Sequence, residues 1–153
     1  SKYFNELKVV PVAVSYEFDP NDINKAIECA KTNQGKDYIK SSNEDISSIA
    51  KGITDKKGDV SINVGSPLNF VSDDSDQISD QITKSIRDLY EPHSTNYAAY
   101  IKSKNEILDH SFSESKINES INYLESRAMQ LTKHEKEELY SQYYQCLIKK
   151  MGG

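Results

Sequence analysis

The chain has 153 residues, enough for one domain or for a small domain with an appendage. Its formal net charge of −5 argues against a nucleic-acid-binding surface, because phosphate contacts need clustered lysine and arginine. No apolar run approaches the roughly 20 residues that a membrane-spanning helix needs, and the polar first residues predict no secretory leader.

The first predicted element is a strand over Val9–Tyr16. Apolar residues occupy both of its faces, which is typical of a strand covered on two sides. Pro11 lies inside this strand and lacks a backbone N–H, so we expect it at a sheet edge or bulge, beside a cleft. The sequence offers only one further strand, which is too little to cover both faces. We therefore expect upstream sequence or a partner copy to cover the rest.

Two helices are predicted next. Asp19 followed by Pro20 is typical of an N-cap and first helical residue, and this helix is expected to stop at Gly35. The second helix is expected to begin near Ser42, with Asp45 completing a capping box. The predicted buried stripes are Ile23, Ala26, Ile27 and Ala30 on the first helix, and Ile46, Ile49, Ala50 and Ile53 on the second.

A charged turn then leads to the second strand. Gly58 is expected to have a positive φ, and residues 60–64 alternate between apolar and polar, which predicts a strand with one polar face. Lys56 and Lys57 in the turn are candidates to contact a phosphate or an anionic membrane surface. An ordinary solvated turn explains them as well.

The rest of the chain is predicted to be helical. An acidic segment at 73–76 opens a helix that Pro92 closes, and 96–101 is a short helical piece before a loose segment at 102–110. Capping boxes at Ser111 and Thr132 begin two helices, and the short link between them favours an antiparallel helical hairpin. The predicted fold is α/β: a partial, small sheet flanked by helices in residues 1–101, followed by a C-terminal helical hairpin in an extension at 102–153.

No catalytic or metal-binding residue is predicted from the pattern alone. The three histidines, His93, His110 and His134, are followed five positions later by Ala, Ser and Leu, so none starts a His-x4-Asp pair. Surface or capping roles explain them better. The aspartates near 73–80 lack the glycine and the terminal glutamate of a calcium-binding EF-hand loop, so a helix start is favoured over a metal site.

Several short motifs resemble, in this order along the chain, the later part of a bacterial glycerolipid acyltransferase of the 1-acylglycerol-3-phosphate O-acyltransferase family. The family's fourth sequence block is a short apolar strand that ends aliphatic-Pro-aliphatic. The resemblance covers about residues 9–101 and leaves the helical extension unassigned, and Leu7 departs mildly from the usual Val or Ile. The motifs are Val10-Pro11-Val12, Ser15-Tyr16-Glu17, Asp19-Pro20, the strand at 60–64 followed by Gly65-Ser66-Pro67, and Thr95 to Tyr100.

The resemblance implies an enzyme of phospholipid synthesis at the inner face of the cytoplasmic membrane. Such an enzyme transfers an acyl chain from acyl-CoA or acyl carrier protein to a lysophospholipid-type acceptor and needs no cofactor. Its His-x4-Asp pair, an arginine block and a Pro-Glu-Gly block precede the Val-Pro-Val strand, and none of them occurs here. The chain is therefore expected to be a C-terminal fragment that is inactive alone, in which Val10, Pro11 and Val12 line one wall of the substrate cleft.

Other functions stay open at this point. The chain could be a non-catalytic α/β interaction module whose helical hairpin binds a protein partner. A peripheral membrane contact through Lys56 and Lys57 is a weaker interpretation. Two copies could also pair through an exposed sheet edge, because unprotected edges tend to do so.

Overall fold

The computed structural model describes residues 2–151. Within this range the chain forms seven helices and two strands, which confirms the predicted mixture of helices with a small sheet. In chain order the elements are α1 (Lys2–Leu7), β1 (Val12–Tyr16), α2 (Asp22–Asn33), α3 (Glu44–Thr54), β2 (Val60–Val64), α4 (Ser75–Leu89), α5 (Ser94–Lys104), α6 (Glu114–Ala128) and α7 (Lys133–Lys150).

The sheet consists of β1 and β2, paired antiparallel with Val14 opposite Ile62. Gly58 has the positive φ expected in the turn before β2. Pro11 precedes β1, and its carbonyl accepts a hydrogen bond from the N–H of Gly65 at 2.9 Å; beyond it, the N–H of Leu68 donates to the carbonyl of Val9 at 2.8 Å. The missing N–H of the proline therefore falls opposite Gly65, just outside the regular strand, where it interrupts no bond inside β1.

The main core lies among four helices. Leu124 and Leu139 are fully buried, and small residues beside them let the helices approach closely. α7 packs against α2 and α5, and α6 packs against α5. The core draws residues from both sides of the predicted boundary at 101/102. Its members are Ala26 of α2, Ala98 and Ala99 of α5, Leu124 and Ala128 of α6, and Leu139 and Tyr143 of α7.

Two predicted helix starts are confirmed and a third is wrong. α2 begins at Asp22 with Asn21 as its N-cap, so Asp19 and Pro20 lie before the helix, where the Asp19 carboxylate accepts from the N–H of Asn21 at 2.9 Å. Asp74 caps α4, and Thr132 with Glu135 forms the capping box of α7.

Two further predicted helix starts are wrong, and one predicted loop begins later than expected. The N-cap of α6 is Ser113, whose hydroxyl accepts from the N–H of Lys116, so the capping residue lies two positions after Ser111. The first residue of α3 is Glu44, and its carboxylate accepts from the N–H of Ser41 at 3.2 Å, in place of the predicted Ser42 box. α5 continues through Lys104, into the segment that was expected to be loose.

Candidate functional site

The sheet turns its large apolar side chains toward solvent. Val12, Val14 and Tyr16 of β1 lie directly opposite Val64, Ile62 and Val60 of β2, and we call these six side chains the outer face. Each of them is between 42% and 64% exposed. The described part of the chain therefore leaves one face of β1 uncovered, as expected from a sheet of two strands, and what covers that face stays a prediction. A contiguous apolar patch of this kind is the usual mark of an interaction surface.

The opposite, inner face of the sheet is small and polar. Ala13 and Ser15 of β1 lie opposite Asn63 and Ser61 of β2. The Ser15 hydroxyl donates to the carbonyl of Glu91 at 2.7 Å, and the Asn63 amide donates to the carbonyl of Leu89 at 2.9 Å. The sheet is thus held to the end of α4 by hydrogen bonds, while its apolar side chains point the other way.

α3 carries a second exposed apolar surface. Ile46, Ile49 and Ile53 lie on one side of this helix and are 64–75% exposed. The prediction that α3 buries this stripe is wrong, and no residue of α3 is buried. The helix touches the chain through its other side, where the Asn21 amide donates to the carbonyl of Ser48 at 3.0 Å. α3 therefore needs further contacts to bury its isoleucines.

A buried ion pair joins the end of β1 to α6. The Glu17 carboxylate lies 2.6 Å from the Lys116 ammonium, accepts from the N–H of Asp59 at 3.1 Å, and accepts from the Ser94 hydroxyl at 3.3 Å. Burial alone would raise the pKa of Glu17, but Lys116 and these donors outweigh it and hold that pKa below its ordinary value. The pair fixes the sheet to α6.

A second buried pair fixes the start of α2. The Asp22 carboxylate is fully buried and accepts from the Nε of Arg127 at 3.1 and 3.2 Å. The Tyr143 hydroxyl donates to the same carboxylate at 3.0 Å and accepts from the N–H of Asp19 at 3.1 Å. Burial and the negative charge of Asp22 raise the pKa of Tyr143. These contacts give both oxygens of the buried Asp22 carboxylate a partner, as a buried charge requires.

The contact between Ser15 and His93 does not form a nucleophile. His93 Nε2 lies 3.2 Å from the Ser15 hydroxyl, and both residues are buried. The hydroxyl has a single proton, which it donates to the Glu91 carbonyl, so His93 must donate to the serine and cannot act as its base. His93 is also the N-cap residue of α5, and its N–H donates to the Asn96 side chain at 2.6 Å. The contact therefore has a structural role.

The predicted cleft-wall residues lie next to the outer face. Val10 is 41% exposed and continues the row formed by Val12, whereas Pro11 is buried and lies beside Gly65. A side chain at Gly65 would collide with Pro11 and with Leu89. Val10 and Val12 are thus open to an added layer, and Pro11 closes the end of the sheet. Their role in a substrate cleft stays a prediction.

The two turn lysines have different surroundings. The Lys56 ammonium lies 5.5 Å from the centroid of the Phe18 ring, beside a cleft of about 360 Å³ that Tyr123 and Arg127 also line. The Lys57 ammonium donates to the carbonyl of Asp55 at 3.0 Å, near the end of α3. Lys56 is therefore the more available of the two for an anion, and the contact of these lysines with a phosphate or an anionic membrane surface stays a prediction.

Comparison with known proteins adds no relative: no family model, no curated protein and no solved structure matches the chain. Among residues 2–151, no group of three or more His, Cys, Asp or Glu side chains is arranged to hold a metal ion. None of the helices described in that range combines the length and apolar character required to cross a membrane.

The sequence pattern was not used to predict which face of the sheet carries the large apolar side chains and which face the rest of the chain covers. The alternation was present in both strands, because small or polar residues occupy every second position, at Ala13 and Ser15 and again at Ser61 and Asn63. A period of two assigns residues to two faces, but it does not say which face the rest of the chain covers. Reading β1 in register with β2 would have revealed one wholly apolar face.

Proposed function

We propose that this chain is the C-terminal part of a bacterial glycerolipid acyltransferase, and that the catalytic part of that enzyme packs on the outer face. The observation that carries the proposal is the outer face itself, six large apolar side chains presented to solvent by a sheet with only two strands. Enzymes of the α/β class cover their central sheets on both faces. The order of the motifs along residues 9–101 supports the assignment to this family.

In this enzyme the chemistry is divided between two parts. The catalytic part supplies a histidine as general base for the acceptor hydroxyl and a carboxylate that orients it. The acyl donor is acyl-CoA or acyl carrier protein, and the acceptor is a lysophospholipid at the inner face of the cytoplasmic membrane. Val10, Pro11 and Val12 line one wall of the substrate cleft and take no part in proton transfer.

The role of the present chain is to hold that wall in place. α6 and α7 form a C-terminal helical hairpin that supports the sheet from its inner side. Two contacts support this role: Lys116 of α6 holds Glu17 directly after β1, and the Tyr143 hydroxyl of α7 holds the N–H of Asp19. These contacts fix the end of β1 from the helical side, and the outer face is left uncovered by the described residues.

The test is an acyl-transfer assay on two proteins, the product of the complete reading frame and the 153-residue chain. With 1-acylglycerol-3-phosphate and either acyl thioester, we expect turnover by the first and none by the second. Pro11→Ala in the complete protein is expected to change the kinetics of acyl transfer, while Val71→Ala, at a residue 90% exposed, serves as the matched control. Turnover by the 153-residue chain alone, or a complete protein without a His-x4-Asp pair, would contradict the proposal.

A non-catalytic interaction module is the second candidate. The exposed isoleucines of α3 favour it, because they add a helical apolar stripe to the apolar sheet face without any catalytic group nearby. The upstream coding sequence separates the two candidates. A His-x4-Asp pair followed by a Pro-Glu-Gly block supports the enzyme, and a linker or unrelated domain supports the module.

A further inference from the structure

The hydrogen bonds of the sheet show which backbone groups are left unpaired. The N–H of Glu17 donates to the carbonyl of Asp59 at 2.9 Å, and the N–H of Gly65 donates to that of Pro11 at 2.9 Å. Antiparallel strands use alternate residues for their ladder, so Ala13 and Ser15 bond to β2 in the same way. The N–H and C=O groups of Val12, Val14 and Tyr16 therefore point away from β2, along the free edge of β1.

These groups have no hydrogen-bond partner in the described part of the chain. Between residues 2 and 151, no hydrogen bond reaches the backbone N–H or C=O of Val12, Val14 or Tyr16. Proteins protect exposed edges with proline, lysine or a bulge. β1 contains none of these, and the missing N–H of Pro11 faces Gly65 instead. The edge is open for a strand to pair with it.

A small cleft lies along the same edge. Its volume is about 140 Å³, and it is lined by Val14, Ser15 and Tyr16 of β1 but by no residue of β2. Tyr90 and Gln142 line its other side. Gln142 also has a buried side-chain nitrogen, Nε2, with no hydrogen-bond partner in the described chain. A buried amide N–H without a partner is costly, so the packing beside this cleft is not fully satisfied within the described residues.

We propose that the free edge of β1 accepts an additional β-strand from the catalytic part of the enzyme. The added strand pairs with the N–H and C=O groups of Val12, Val14 and Tyr16. Its outward side chains are apolar and extend the outer face. This inference rests on the proposed function, and it adds to it the edge at which the strand joins and the side-chain pattern of that strand.

A second copy of the chain fits this edge less well. Pairing β1 with the β1 of another copy would satisfy the same backbone groups. It would also place two outer faces side by side in one sheet, which doubles the exposed apolar patch without covering it. The catalytic part, in contrast, brings its own layers over the extended sheet.

Residue-resolved hydrogen exchange tests the proposal on the complete protein and on the 153-residue chain. We expect the amides of Val12, Val14 and Tyr16 to exchange on the order of 100-fold more slowly in the complete protein. The amides of Ala13 and Ser15 are the internal control, because β2 protects them in both proteins. Equal exchange of the edge amides in the two proteins would overturn the proposal. Edge protection that grows with the concentration of the 153-residue chain alone would also overturn it, because a second copy would then be the occupant.

Two substitutions at one residue sharpen the test. Val14→Pro removes an N–H that points to the free edge and breaks no bond to β2, whereas Val14→Thr keeps that N–H. In the complete protein we expect Val14→Pro, and not Val14→Thr, to restore fast exchange at Val12 and Tyr16. Acyl transfer with fast-exchanging edge amides overturns the edge proposal alone. Protected edge amides in a protein that transfers no acyl chain overturn the proposed function alone.

Discussion

Two regions of this chain differ in whether their large apolar side chains are buried or exposed. The helical core, made of α2, α5, α6 and α7, buries leucine and alanine completely and has a satisfied capping box on α7. The sheet layer, made of β1 and β2, exposes valine, isoleucine and tyrosine while it buries Ala13 and Ser15, and α3 likewise exposes its isoleucines. The helical core therefore finds its packing partners within this chain, whereas the sheet layer has the residue pattern of a protein interior without its covering layer.

Truncation of a buried leucine should lower the free energy of unfolding far more than truncation of an exposed isoleucine. Leu124→Ala in α6 should lower the free energy of unfolding by about 2–5 kcal/mol, because a buried side chain is lost and a cavity is left. Ile53→Ala in α3 should change it by less than about 0.5 kcal/mol, because this side chain is 75% exposed. Urea unfolding of the two variants measures both values. Similar losses in the two variants would show that α3 is packed and that the contrast between the regions is wrong.

The ion pair that joins the two regions should make stability depend on pH. Glu17→Gln should lower the free energy of unfolding by about 1–3 kcal/mol at neutral pH, because Lys116, Ser94 and the N–H of Asp59 then lack a charged acceptor. The folded-state pKa of Glu17 lies below its ordinary value of 4.5. Its stabilisation is therefore complete above that value and is lost as the pH falls through the lower, folded-state pKa.

Urea unfolding of the wild type and of Glu17→Gln at about pH 7 and about pH 3 tests whether the stabilisation by Glu17 is lost as the pH falls. The difference between the two proteins should shrink at the lower pH. Glu119→Gln, at an exposed carboxylate on the same helix as Lys116, is the control and should show a small difference at both values. A gap between wild type and Glu17→Gln that widens as the pH falls would contradict the assignment.

The sequence predicted local structure better than it predicted burial. Capping residues such as Asp74 and Thr132 act within one turn of their own helix, so their role can be recognised from three or four neighbouring residues. Leu124 of α6 and Leu139 of α7 lie in regularly spaced apolar stripes, and both are buried because they find partners inside this chain. Ile49 has an equally regular spacing but no partner here. Periodicity shows that a helix has an apolar side, and it says nothing about whether the covering layer is present.

The candidate site was only partly predictable for the same reason. Pro11 was recognised as unusual, but its position opposite Gly65 depends on the register between two strands that lie 44 residues or more apart in the chain. The contacts of Glu17 with Lys116 and the cleft beside Gln142 join residues still farther apart. Such contacts come from tertiary packing, which no local pattern encodes.

The N-caps of α7 and α3 should differ in the same way as the helical core and α3, with smaller changes in the free energy of unfolding. Thr132→Ala should cost about 1 kcal/mol, because the hydroxyl accepts from the N–H of Glu135 at the start of α7. Asn43→Ala should cost only a few tenths of a kcal/mol, on the order of a surface substitution, because the N-cap side chain of α3 makes no capping hydrogen bond. Thermal unfolding of the two variants measures the difference. A larger loss for Asn43→Ala would mean that α3 contributes more to the cooperative unit than its contacts indicate.

The smallest expected effect concerns the outer face and gives the most direct test of its exposure. The double variant Val14→Thr with Ile62→Thr keeps a β-branched residue at both positions, and these two residues lie opposite each other. If the outer face is open, the hydroxyls stay solvated, so the free energy of unfolding should change by less than about 0.5 kcal/mol. Binding of an apolar dye such as ANS should fall at the same time, because the patch is less apolar. Ala13→Thr on the buried inner face is the matched control and should cost about 1–3 kcal/mol through overpacking. A loss of several kcal/mol in the double variant would show that the outer face is already covered, and the proposed docking of a catalytic part would then lose its surface.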